Sequence, residues 1–174
     1  MQYFPLIYLL PLLIIRFINI LKCNEVSGTI KSIDQDENFL KYLDIRSFKL
    51  TKYNKTTMTI HGKIKVFQPL TDIKITFKYY KKMGNGYIQV PLVELNKADL
   101  CNIMSMPQFD VYFQDFFKQT DMPYDCKMYP GEYKVFDLRA TIPKNMPRGS
   151  FRSDCKFFQN DECVGRFQIY LLVE

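Results

Sequence analysis

Over residues 57–67, Met58, Ile60, Ile64 and Val66 fall on one face of an extended chain, and Thr59, His61, Lys63 and Lys65 on the other. Over 72–80, Ile73, Ile75, Phe77 and Tyr79 alternate with Asp72, Lys74, Thr76 and Lys78. A period of two marks half-buried antiparallel strands. Met83, Gly84, Asn85 and Gly86 then supply a turn that tolerates positive φ, and the chain returns as a strand over 87–92. A less regular strand is predicted over 42–53. Further strands are predicted over 132–140, 150–158 and 163–173, punctuated by Pro130-Gly131, Pro143 and the Pro147 to Gly149 turn.

Between 95 and 122 the period changes. Leu100, Met104, Phe109, Tyr112, Phe113, Phe116 and Phe117 recur at spacings of three and four, which predicts two short helices broken near Pro107. Proline suits the first turn of the second helix. The whole reads as a mainly β chain, an antiparallel β-sandwich or open β-cup of about seven strands with a short helical insertion near residues 97–119. The helical stripe needs burial and no second domain offers it, so residues 107–118 are expected over one open end of the cup.

The first residues carry a different pattern. Residues 3–15 run for thirteen positions without a charge before Arg16. That core matches a secretory signal and falls short of the roughly 20 apolar residues that span a bilayer. Residues 1–22 are therefore expected to be a signal peptide, with the cleavage boundary between 22 and 28, and 23–174 a single secreted, extracellular domain. An uncleaved signal anchor is the alternative, because no basic residue precedes the apolar run and no A-x-A-like site follows it.

Composition narrows the function. At 47% apolar and 24% charged the chain is an ordinary globular sequence, with 16% aromatics and no Trp. Losing Arg16 and Lys22 with the leader lowers the net charge from +6 to +4. Lys and Arg are scattered singly rather than in dense runs, so nucleic acid is not an expected partner. His61 is the only histidine. No nucleophile–histidine pairing, H-E-x-x-H or phosphate loop occurs, and a lone strand histidine reads as structural. Asp34, Asp36 and Glu37 form the one tight acidic group, in a stretch that reads as a solvated loop. The expectation is a non-enzymatic protein with no cofactor and no metal.

Cys101, Cys126, Cys155 and Cys163 remain if Cys23 leaves with the leader, and four cysteines in an oxidising compartment allow three pairings. Local sequence favours Cys101–Cys126 and Cys155–Cys163, the second bracketing a hairpin that turns at Gln159, Asn160 and Asp161. Gaps of 24, 28 and 7 residues between them hold no zinc-type C-x₂-C pair. Asn54-Lys55-Thr56 is a glycosylation sequon ahead of a strand, which makes Asn54 a candidate glycan site.

Several motifs recur in consistent order along the chain. They are Asn54-Lys55-Thr56-Thr57 with His61-Gly62, the strand over 87–92, and Leu100-Cys101 opening the aromatic helical stretch. Asp125-Cys126, Pro130-Gly131-Glu132-Tyr133 and Pro147-Arg148-Gly149-Ser150-Phe151-Arg152 follow, and the chain closes on Gly165-Arg166-Phe167 through Val173-Glu174. In this the chain resembles the insect chemosensory A and B families of small secreted proteins, related to the lipid-recognition domains of the ganglioside-activator type. Lys127 stands where the family usually has Pro, and Phe151 stands for a Tyr. Cys155 and Cys163 are outside the shared pattern.

The resemblance implies a β-cup with a hydrophobic interior. It also implies a secreted protein that carries or presents a lipid-like or pheromone-like ligand such as a fatty acid, a hydrocarbon or another lipid. A membrane receptor or channel is an expected further partner. Ile64, Val66, Ile75, Phe77, Phe109, Phe113, Phe116, Phe117, Phe167 and Ile169 are the candidate ligand-contacting residues. The same stripes would equally fill the core of any sandwich. The competing reading is a secreted protein-interaction module with a filled core and no small-molecule ligand.

Overall fold

Two antiparallel sheets form from the alternating segments, and a helical insertion joins them. The structure, a computed structural model, describes residues 28–53, 58–139 and 146–174, apart from the side chains of Leu92, Val93 and Val111. The expected leader, Cys23 and the Asn54 sequon lie outside the described residues.

The elements run in chain order as β1 (Gly28–Gln35), β2 (Leu43–Asp44), β3 (Lys49–Lys52), β4 (Met58–Val66), β5 (Lys74–Met83) and β6 (Gly86–Asp99). They continue as α1 (Leu100–Ser105), α2 (Pro107–Lys118), β7 (Gly131–Arg139), β8 (Gly149–Gln159) and β9 (Glu162–Val173). The larger sheet has the order β1-β9-β8-β5-β6. In the smaller sheet β4 is central, with β7 on one edge and β2 and β3 in succession along the other.

The expected strand over 42–53 is thus one edge strand broken in two. The break has a local cause. Ser47 Oγ accepts the Lys63 N–H at 2.9 Å and donates to the Lys63 carbonyl at 2.9 Å, replacing ladder bonds with side-chain bonds. Its own carbonyl presses on Gly62, which sits at φ +152°. A Cβ there would lie 2.7 Å from the Ser47 oxygen, so only glycine fits without a backbone shift.

The change of period in the sequence marks a change of element. Asp99 ends β6 and caps α1 by accepting the Asn102 N–H at 2.9 Å, and Pro107 opens α2. Both helices appear where expected, while β6 runs on to Asp99, beyond the expected end at 92. β1 was not expected. Its bulge between Ile30 and Ser32 breaks the period of two, and Asp34 lies in this strand rather than in a loop.

Facing apolar residues from both sheets make the interior. Ile60 of β4 packs with Ile30, Phe151, Leu171 and Val173 of the larger sheet. Leu70, Ile73, Leu100, Ile103 and Met104 form a second cluster under the helices. Thr59, on the polar side of the β4 alternation, is nevertheless 2% exposed. Its hydroxyl meets Thr51 Oγ1 at 3.0 Å on the neighbouring strand.

Candidate functional site: an apolar cavity between the sheets

Facing apolar strands do not close on each other completely. A cavity of about 350 Å³ separates them, within the range of small-ligand sites. The larger sheet supplies Ile33, Ile75, Phe157, Phe167 and Ile169 to its wall. From the opposite side come Leu43, Ile60, Ile64 and Leu138, with Ile45 and Phe48 from the broken edge. A third wall consists of Leu100 and Met104 of α1, Tyr112, Phe113, Phe116 and Phe117 of α2, and Met122, Asp125 and Met128 of the segment that follows.

Helical spacing explains the third wall. Phe113, Phe116 and Phe117 share the face of α2 turned towards the sheets. Phe116 and Phe117 meet edge to face at 5.3 Å, and Phe117 meets the Tyr124 ring at 5.0 Å. A disulfide between Cys101 and Cys126 ties the start of α1 to the segment ahead of β7, so the insertion is held at two points.

Most of the expected contact residues come together here: Ile64, Ile75, Phe113, Phe116, Phe117, Phe167 and Ile169 all line the cavity. Three do not. Val66 is 3% exposed and packs in the small-sheet core beside Leu43 and Val135. Phe77 meets the Tyr79 ring edge to face at 4.9 Å and packs, like Phe109, against the cluster under the helices. Sequence reasoning missed Ile33, on the bulged strand, and Leu43, Ile45 and Phe48, on the broken one. Met122, Asp125 and Met128 lie in a segment with no period at all.

The expected Cys155–Cys163 bridge is absent: both cysteines are free, although the hairpin forms as expected with Asn160 and Asp161 at φ +50° and +61°. Register is the reason. Cys155 pairs across the ladder with Phe167 and Cys163 with Phe158, on either side of a bulge between Phe157 and Phe158. Three residues of strand separate those positions, about 10 Å at the usual rise, beyond the 7 Å Cα limit for a disulfide. Cys155 instead sits in the core, where burial pushes its thiol up to about 12.

Electrostatically the cavity is nearly neutral. Asp125 is the one ionisable acid or base of its wall besides the phenol of Tyr112, among the described residues. Its carboxylate accepts the Lys127 N–H at 3.1 Å and the Tyr129 hydroxyl at 3.2 Å. Burial pushes the phenol of Tyr79 up to about 12, with nearby Tyr112 adding to the shift. An outer depression of about 530 Å³ adjoins the cavity, lined by Cys101, Met104, Ser105, Pro107, Asp110, Tyr124, Asp125 and Cys126. In its wall the Tyr124 hydroxyl donates to Asp110 Oδ1 at 2.9 Å, and one turn along α2 Gln114 Nε2 donates to Asp110 Oδ2 at 2.6 Å.

His61 is not among the lining residues; its Nδ1 lies 3.2 Å from Thr51 Oγ1 on the edge strand. Among the described residues no three His, Cys, Asp or Glu side chains are grouped to hold a metal, and no helix is long and apolar enough to cross a membrane. The chemistry this arrangement offers is enclosure of apolar surface.

No family model and no curated protein matches the chain. Among the solved structures that are similar is a Niemann-Pick type C2 protein from the Japanese carpenter ant, with 15% sequence identity, 85% of this chain and 93% of that chain covered, and a TM-score of 0.30. A likeness of that size carries nothing about function. The cavity itself has to.

Proposed function

We propose that the protein is a secreted, non-enzymatic carrier that binds a hydrophobic ligand between its two sheets. One observation carries this reading: an apolar cavity of about 350 Å³ walled by both sheets and by the helical insertion. Protein interiors are normally packed to crystal-like density. A part-open cavity of this size leaves its apolar wall either without packing partners or against water, and both are unfavourable. Water is a poor filler, because it needs two to four polar partners and this wall offers few. An apolar occupant removes both costs, at about 25 cal/mol per Å² of surface taken from water.

Filled-core contact with another protein, the competing reading, is disfavoured by the same cavity. A chemosensory setting, and delivery to a membrane receptor or channel, rest on the motif resemblance from Asn54 onward. Expression with secretion from insect cells, followed by native mass spectrometry, tests the carrier reading. Co-purifying lipid, or displacement of a bound fluorescent fatty acid by added lipids, is the expected result. A clean unliganded mass together with no binding of the fluorescent probe removes it.

A further inference from the structure

We infer that the ligand's head group is a hydrogen-bond donor, an alcohol or a protonated amine on an alkyl chain, seated at the Asp125 end of the cavity. This rests on the cavity being a hydrophobic-ligand site and adds the chemistry of the head. Met104 and Asp125 line both the inner cavity and the outer depression, so the two spaces meet at these residues. A chain lying inside leaves its apolar contacts there and meets carboxylates: Asp125 at the junction and Asp110 beyond it. Among the described residues that line either space there is no lysine, arginine or histidine.

Each carboxylate is already held in place yet keeps acceptor capacity. Asp125 takes one donor on each oxygen, from the Lys127 backbone and the Tyr129 hydroxyl. Asp110 likewise takes the Tyr124 hydroxyl and the Gln114 amide. A carboxylate offers about four lone-pair sites, so both can accept again. A donor head group placed between them forms a charge-assisted hydrogen bond, roughly twice as strong as a neutral one. An ionised fatty acid head in the same place faces two like charges with no cation to offset them, which is the repulsive half of a specificity device.

The full chain loaded with Nile red, a neutral probe, separates these cases. Dodecan-1-ol, dodecan-1-amine and dodecanoate are titrated against it at neutral pH and low salt. The alcohol and the amine are expected to displace the probe at concentrations about tenfold below that of dodecanoate, a difference of about 1.4 kcal/mol. Asp125→Asn should reduce that preference to about threefold or less, chiefly by improving dodecanoate. Asp110→Asn should shift it in the same direction from the other wall and serves if the first variant does not fold. Equal competition by dodecanoate in the unaltered chain overturns the inference, as does an unchanged preference in both variants. If Nile red does not bind, or none of the three compounds displaces it, the carrier reading itself has failed.

Discussion

At the scale of single residues, what decides a side chain's role is the partner its register gives it, more than its own type. Cys155 and Cys163 show this. Both are cysteines on one hairpin in a chain expected to be secreted, yet the ladder sets them opposite Phe167 and Phe158 and leaves them unable to join. Their reactivities should then differ, because a thiolate, not a thiol, is the nucleophile. In the folded protein, mass-mapped alkylation without reductant should label Cys163, which is partly exposed, and spare Cys155, Cys101 and Cys126. Denaturant without reductant should add Cys155 alone. A peptide linking Cys155 to Cys163 would refute the assignment.

At the scale of elements, the edge of the small sheet shapes the cavity. The break between β2 and β3 turns Ile45 and Phe48 into its wall, and that break is held by Ser47 against Gly62. Gly62→Ala forces a Cβ against a backbone oxygen at positive φ and should cost about 2 kcal/mol or more. Gly84→Ala is the control. Gly84 also has positive φ, +58°, but a Cβ there meets nothing within 4 Å. Its loss should stay near 1 kcal/mol. Urea unfolding of the two variants checks the order, and equal losses would mean that the close approach of Ser47 does not matter. The disulfide acts on a second element. It closes a separation of 25 residues around the helical insertion, a loop for which chain entropy gives about 3–4 kcal/mol.

At the scale of the whole molecule, buried titratable groups tie stability to pH. Cys155 moves from 9.0 to about 12 and Tyr79 from 10.0 to about 12, both chiefly through burial. A raised folded-state value for a group that is neutral when protonated means that the unfolded chain releases protons first. It then binds fewer protons than the folded chain, and stability falls as pH rises. The contribution is complete below about pH 9 and is lost progressively towards pH 12. Urea midpoints should therefore fall across that window. The double variant Cys155→Ala, Tyr79→Phe should show a shallower fall than the unaltered chain, and identical slopes would sink the idea. Elsewhere the surface pairs are exposed, as Lys97–Asp161 and Lys41–Glu162 are, and such pairs contribute little to stability.

The sequence by itself determined the class of the fold, because alternation over 57–67 and 72–80 and the helical spacing of Phe109 to Phe117 are local signals written in residue order. It determined the position of both helices for the same reason, with Pro107 in the first turn of the second. Seven of the expected ligand-contacting residues reach the cavity because inward-facing is a property of the period; Val66, Phe77 and Phe109 face inward too but meet filled core. Only the tertiary structure decided which inward positions border a space. It also decided what the aperiodic residues do. Asp125, Met122 and Met128 gain their place from the disulfide and from the Leu70–Met128 bridge, which are contacts between distant parts of the chain. Register and void volume are properties of two strands or two sheets meeting, and no single stretch of sequence carries either.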